Sequence, residues 1–239
     1  MTTQDRKRMR ALRRTSRQAG ATIAEFVVIM PIALLLVLGI IQLGLMFTAK
    51  QMLNQATFMA ARAGAVQNAR VNAMNDALTK ALIPFYQDTT ISNDYARLSR
   101  AWLAAKMDAQ FVELEMLNPT AGAFRDFGIT SNASGGHTYI PNDNLEFRSR
   151  TPGSRTGLTI QDANTLKIKV TYGYELKVPV MKTVMKAIMC GIDSGVEAFG
   201  RGNETAHADG NSCVRYYSNG RVPLVAYATV QMQTPAWRN

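Results

Sequence analysis

Twenty-four consecutive residues, Phe26 to Ala49 (FVVIMPIALLLVLGIIQLGLMFTA), carry no charge. As a helix this run spans about 36 Å, against a bilayer hydrocarbon core of roughly 30 Å. Only Gln42 and Thr48 are clearly polar. A buried core helix of this length and uniformity would be unusual, so the expectation is a helix inserted in a membrane. A cleavable secretory signal is the alternative. Its apolar region is normally about 7–15 residues, followed by a small-x-small site. This run is longer, and no convincing Ala-x-Ala follows it.

Charge sets the orientation. The net charge is +10, and residues 1–20 hold seven basic side chains (Arg6, Lys7, Arg8, Arg10, Arg13, Arg14, Arg17) against the single acid Asp5. Most of the excess is therefore a tail and not a basic face on a domain. A basic tail binds nucleic acid or marks the cytoplasmic end of a membrane segment. The apolar run that follows favours the second, with the N-terminus cytoplasmic and the chain beyond about residue 50 outside. With 47% apolar and 18% charged residues the remainder can build a folded core. The expected division is a basic cytoplasmic leader (1–20), a transmembrane and extended N-terminal helix (21–82) and an extracytoplasmic head (83–239).

Glu25 stands at the mouth of the apolar run, in RQAG-ATIAEF. A carboxylate inside a membrane helix costs up to about 2.5–3.5 kcal/mol at the centre and less near the interface, and such a group usually has a partner. If the chain were cut after Gly20, Ala21 would carry a new α-amino group, and Glu25 would be the fifth residue, one helical turn away. That amine, or the amine of a neighbouring subunit, could neutralise the carboxylate. An interfacial acid in the headgroup region is the plainer alternative.

Basic leader, Gly, Glu at the fifth position and apolar helix together resemble the type IV pilin superfamily. The stretch from Gly20 to Val66 is similar to the TadE-like group of the tight-adherence pilus system. The shared points are Glu25-Phe26, Pro31, Gly39 with Gly44, and Ala-Ala-Arg-Ala-Gly at Ala60–Gly64. The family often has Tyr where this chain has Phe26. The resemblance implies a minor pilin or pseudopilin, cut by a prepilin peptidase at Gly20–Ala21 with Glu25 and Phe26 in the recognition region. It implies a bacterial inner-membrane protein with a periplasmic head, with other pilins or pilus assembly platform proteins as partners. Pilus biogenesis, adherence and biofilm formation are the implied roles.

Beyond the membrane, Met52, Ala56, Met59, Ala63 and Val66 follow a helical 4,3,4,3 spacing. Ala56, Ala60 and Gly64 fall at i, i+4, i+8, and small residues so spaced let another helix approach closely. The partner is either the chain's own head or other pilin helices. One helix from about residue 22 to 82, interrupted or kinked near Pro31, is the simplest expectation. Pro84 ends it. A second helix is expected near 93–117, with Tyr95, Leu98, Trp102, Ala105, Ala109, Val112 and Met116 as a core or helix-pairing stripe. Asn93 is its candidate cap and Asn118-Pro119 its stop.

Residues 119–164 read as loops, with turn signals at 131–137 and 151–157. Leu166, Ile168 and Val170 alternate with polar residues as in a half-buried strand. A short helix is expected over 179–189. Ser218-Asn219-Gly220 between apolar runs at 213–217 and 222–232 predicts a hairpin. The fold class is thus α+β, pilin-like, with a small antiparallel sheet. Cys190 and Cys213 would both lie in an oxidising compartment, where pairing is favoured. Closing that loop would contribute roughly 3 kcal/mol in the chain-entropy model; two free thiols are the alternative. No phosphate loop, GxSxG, HExxH or dinucleotide fingerprint is present, and the basic residues form no aromatic-interleaved nucleic-acid face. Asp193, Glu197, Glu204 and Asp209 read as a solvated acidic loop without EF-hand spacing. The expectation is a structural protein without catalysis, cofactor or metal. An uncleaved, signal-anchored extracytoplasmic binding protein is the alternative, and a tethered enzyme is the third.

Overall fold

The computed structural model describes residues 19–130, 136–192 and 215–238. Helix α1, Ala19–Val66, contains the whole apolar run and continues through Pro31 without interruption. Its 48 residues give a rod about 72 Å long.

The helix does not continue to residue 82. It ends at Val66, and Asn68 and Ala69 turn the chain with φ of 57° and 58°. Helix α2, Val71–Leu82, then packs Met74, Leu78 and Leu82 into the core. The reversal is held from the far end of the chain. Asn68 N donates to Thr234 Oγ1 at 3.0 Å and Asn68 Nδ2 donates to Pro235 O at 2.8 Å. Ala65 O accepts from Gln233 N and Thr234 N. Backbone groups that would be orphaned at the end of α1 are satisfied this way.

A 3₁₀ turn over Ile83–Tyr86, carrying Pro84, leads to α3, Asp94–Met107. Asn93 caps α3, its Oδ1 accepting from Tyr95 N and Ala96 N. The helix stops ten residues before the expected 117. After a 3₁₀ turn at Asp108–Phe111 the chain forms strand β1, Val112–Asn118. Val112, Leu114 and Met116 alternate with exposed Glu113 and Glu115, the period of a strand. Glu115 lies opposite Lys169 and pairs with it at 3.2 Å, and Glu113 pairs with Arg215 at 2.9 Å. Of the apolar stripe expected on this helix, Ala105 is buried but Tyr95, Leu98 and Trp102 are exposed, and the other buried position, Ala101, lies off the stripe.

Helix α4, Ala121–Phe127, and strands β2, Ile129–Thr130, and β3, Thr138–Ile140, follow. Then come the single turn α5, Ile160–Ala163, and the long strand β4, Thr165–Glu175. Helix α6, Met181–Ile192, strand β5, Arg221–Gln231, and strand β6, Ala236–Trp237, complete the described chain. Two three-stranded antiparallel sheets result, ordered β1-β4-β5 and β2-β3-β6. The expected hairpin at Asn219-Gly220 is corrected. Gly220 makes a turn at φ 65°, but β5 pairs with β4 from Thr165↔Gln231 to Glu175↔Arg221. The Asn-Gly turn thus starts β5 beside the end of β4, with Leu176 N donating to Gly220 O at 3.1 Å.

The outer half of α1 lies on this sheet. Ala49, Leu53, Ala56, Ala60, Ala61 and Ala65 share one core with Leu166, Ile168, Val170, Ala226 and Ala228. The architecture is α+β, a long apolar N-terminal helix crossing a small antiparallel head.

Candidate membrane and assembly interface

The inner half of α1 is uncovered. Sixteen large apolar side chains between Ile23 and Phe47 are exposed. Burial of each contributes about 1–3 kcal/mol, so together they exceed the whole stability of an ordinary domain. Only 6% of the most apolar window is buried within the protein. A core helix of a soluble protein would have that window covered. Among the described residues, one helix is long and apolar enough to cross a membrane.

At the inner end, Gly20 and Ala21 lie in the first turn of α1 and Glu25 follows one turn later. Glu25 and Phe26 are exposed. The helix thus puts the carboxylate and the Ala21 backbone on neighbouring turns.

At the outer end the helix passes under the head. Ala56 and Ala60 are fully buried in the protein's own core. Gly64 is in tighter contact still: a Cβ there would lie 2.6–2.8 Å from Met74 and Leu166 side-chain atoms. Between these regions sits Gln42, the lone amide of the apolar run. It is 2% exposed, and its Oε1 accepts from Val178 N at 3.0 Å. Burial pushes the Tyr174 hydroxyl pKa up, and neighbouring Gln42 opposes that rise. Gln42 therefore anchors the head to α1. Its polarity was visible in the sequence, but its partner, 136 residues away, was not.

A second polar cluster had no sequence signal. Arg221 donates twice to Asp108, at 2.8 and 3.0 Å, and once to Gly173 O at 2.8 Å. Tyr86 OH donates to Asp108 Oδ2 at 2.9 Å and lies 2.8 Å from Tyr172 OH. Burial pushes the Tyr172 phenol up to about 12, and Tyr86 is raised further by burial and by Tyr172. The cluster fastens both 3₁₀ turns to β4 and β5.

The rest of the described surface offers little reactive chemistry. An open cleft of about 490 Å³ is lined by Arg70, Val71, Asn72, His137, Trp237 and Arg238. Trp237 stacks on His137 at 5.0 Å and lies under the Arg70 guanidinium at 4.6 Å. Among the described residues no group of three His, Cys, Asp or Glu could hold a metal ion. Cys213, with Asp193, Glu197, Glu204 and Asp209, lies outside the described residues, as does the side chain of Cys190; the expected disulfide falls there.

Residues 20–62 match the family model described as TadE-like protein. The match begins at the Gly20 boundary, covers the uncovered helix and ends on the stretch buried beneath the head. No curated protein and no solved structure matches the chain. The matched family is of a structural type associated with pilus assembly, and the segment it covers here includes the helix that is long and apolar enough to cross a membrane.

Proposed function

We propose that this TadE-like chain is a minor pilin or pseudopilin of a tight-adherence pilus assembly system, processed by a prepilin peptidase between Gly20 and Ala21. The carrying observation is Glu25, one turn after Ala21 on a helix whose apolar surface the protein leaves uncovered. In this reading α1 spans the bacterial inner membrane, with the N-terminus in the cytoplasm and the head in the periplasm. Removal of the basic leader frees the Ala21 amine, and Glu25 pairs with it or with that of a neighbouring subunit. The protein acts by helix association with other pilins or assembly platform proteins, and so supports pilus biogenesis, adherence and biofilm formation.

The test is intact-mass and N-terminal analysis of the membrane-extracted protein from cells with and without an active prepilin peptidase. A chain starting at Ala21 only where the peptidase is active is the expected result. An intact leader in both strains overturns the reading and favours the uncleaved, signal-anchored alternative. Glu25→Gln separates the steps: the charge-pairing account requires it to impair cleavage, assembly or both.

A further inference from the structure

We infer that the base of the head, Leu176–Val180 with the first turn of α6, is seated in the outer interface of the membrane, against anionic phospholipid headgroups. The inference rests on α1 being the anchor. Gln42 fixes the height of this segment, because the Val178 N–H donates to it. From Glu25 to Gln42 is about 26 Å along a helix, and the hydrocarbon core is roughly 30 Å thick. With Glu25 at the inner interface, Val178 lies some 4 Å inside the outer boundary. An ordinary helix tilt of about 20° shortens the projected rise and carries it deeper. Lys50, about 38 Å from Glu25 on the same scale, falls at headgroup depth.

The side chains at this height match that environment. Val180 is 53% exposed and holds φ of 71°, a region that β-branched residues rarely enter. Ile40, Leu43 and Phe47 are exposed on α1 at the same level. Lys177 and Lys182 are exposed beside them and share one carboxylate, Glu175, at 3.0 and 3.2 Å. Two lysines against one glutamate leave a positive rim, joined by Lys50. An apolar tip ringed by long cationic side chains is how a surface enters the headgroup layer: the stems lie in apolar surroundings and the ammonium groups reach phosphate. The described part of α6 continues this pattern. Met181 is buried, Lys182 and Thr183 are exposed, and Val184 and Met185 are half-buried.

The full chain reconstituted in phosphatidylcholine vesicles with a minority of phosphatidylglycerol provides the test. Tryptophan emission is quenched by lipids brominated at shallow or deep acyl positions, and each variant is read against the parent protein. Val180→Trp and Lys177→Trp probe the base and Leu36→Trp the bilayer interior, while Val66→Trp, at an exposed position about 62 Å from Glu25 along α1, probes the distant end of the head. We expect deep bromines to quench Leu36→Trp. Shallow bromines should quench both base variants at least about twofold more than Val66→Trp, as for an interfacial segment. Lys177→Trp carries the test if Val180→Trp disturbs folding. Base probes quenched no more than Val66→Trp, with Leu36→Trp quenched, overturn the seating and leave the anchor intact. Blue-shifted base emission without bromine quenching assigns the surface to a protein and also overturns it. An unquenched Leu36→Trp overturns the anchor, and the seating with it.

Discussion

Gly64 and Gly44 both lie on α1, and their surroundings give opposite expectations for the same substitution. A Cβ at Gly44 meets nothing within 4 Å, whereas at Gly64 it meets Met74 and Leu166 at 2.6–2.8 Å. Alanine in place of glycine favours a helix by about 1 kcal/mol, but overpacking a close-fitted core costs about 1–3 kcal/mol. Leu166 is fully buried and cannot move aside freely. Gly64→Ala should therefore lower the stability of the head by about 1 kcal/mol, read as a lower midpoint of urea unfolding in detergent. Gly44→Ala, which gains that propensity and meets no contact, should hold or raise that midpoint. The small-residue spacing at Ala56, Ala60 and Gly64 is plain in the sequence. The identity of the surface against Gly64 is not, because Met74 arrives through a reversal and Leu166 through a strand a hundred residues later.

At the level of elements, distant partners overrule the local pattern where α1 ends and where β1 begins. VQNAR contains no Gly or Pro, and Asn68, a residue type that tolerates the left-handed region, is its only local stop signal for α1. Asn68 holds its left-handed conformation because Thr234 and Pro235 receive its donors. Val112 and Met116 fit a helical stripe as well as a strand, Leu114 fits only the strand, and cross-strand partners on β4 select the strand. By contrast, the alternation in β4 and the Asn93 cap were legible, because side chains and backbone within a few residues determine them. The Tyr86–Asp108–Arg221–Tyr172 cluster binds four such elements and carries its own pH dependence. A phenol ionises near pH 10 in an unfolded chain, while Tyr172 in the fold holds its proton to about 12 because it is buried. Between those values the native state binds more protons than the unfolded state, so stability falls as pH rises. It is fully present below about pH 9 and is lost progressively above about pH 10. Urea midpoints measured from pH 8 to 11 should show this decline. Tyr172→Phe should flatten it, and also lower the neutral-pH midpoint by about 1 kcal/mol through the lost hydrogen bond.

For the molecule as a whole, the boundary between the uncovered and the covered part of α1 does not fall at the end of the apolar run. The uncharged run makes a helix of membrane-spanning length legible, but not how far down that helix the head reaches. Gln42 and Ala49 belong to the apolar run by sequence and to the buried interior by structure. Leu53, Ala56, Ala60 and Ala61 form one core with β4 and β5. The outer half of α1 is thus the central element of the head and not a stalk beneath it. A chain beginning at Leu38 keeps Gln42 under Val178 and should unfold cooperatively in mild detergent. Beginning at Lys50 removes that acceptor and leaves the Val178 N–H buried and unpaired, at a cost of about 1–3 kcal/mol. A chain beginning at Gln67 loses the apolar face on which both the sheet and α2 pack, and should show no cooperative thermal transition by circular dichroism. Cooperative unfolding of that shortest chain would mean that α1 is an appendage. Its absence would mean that any force drawing α1 through the bilayer acts on the head directly, as one rigid body.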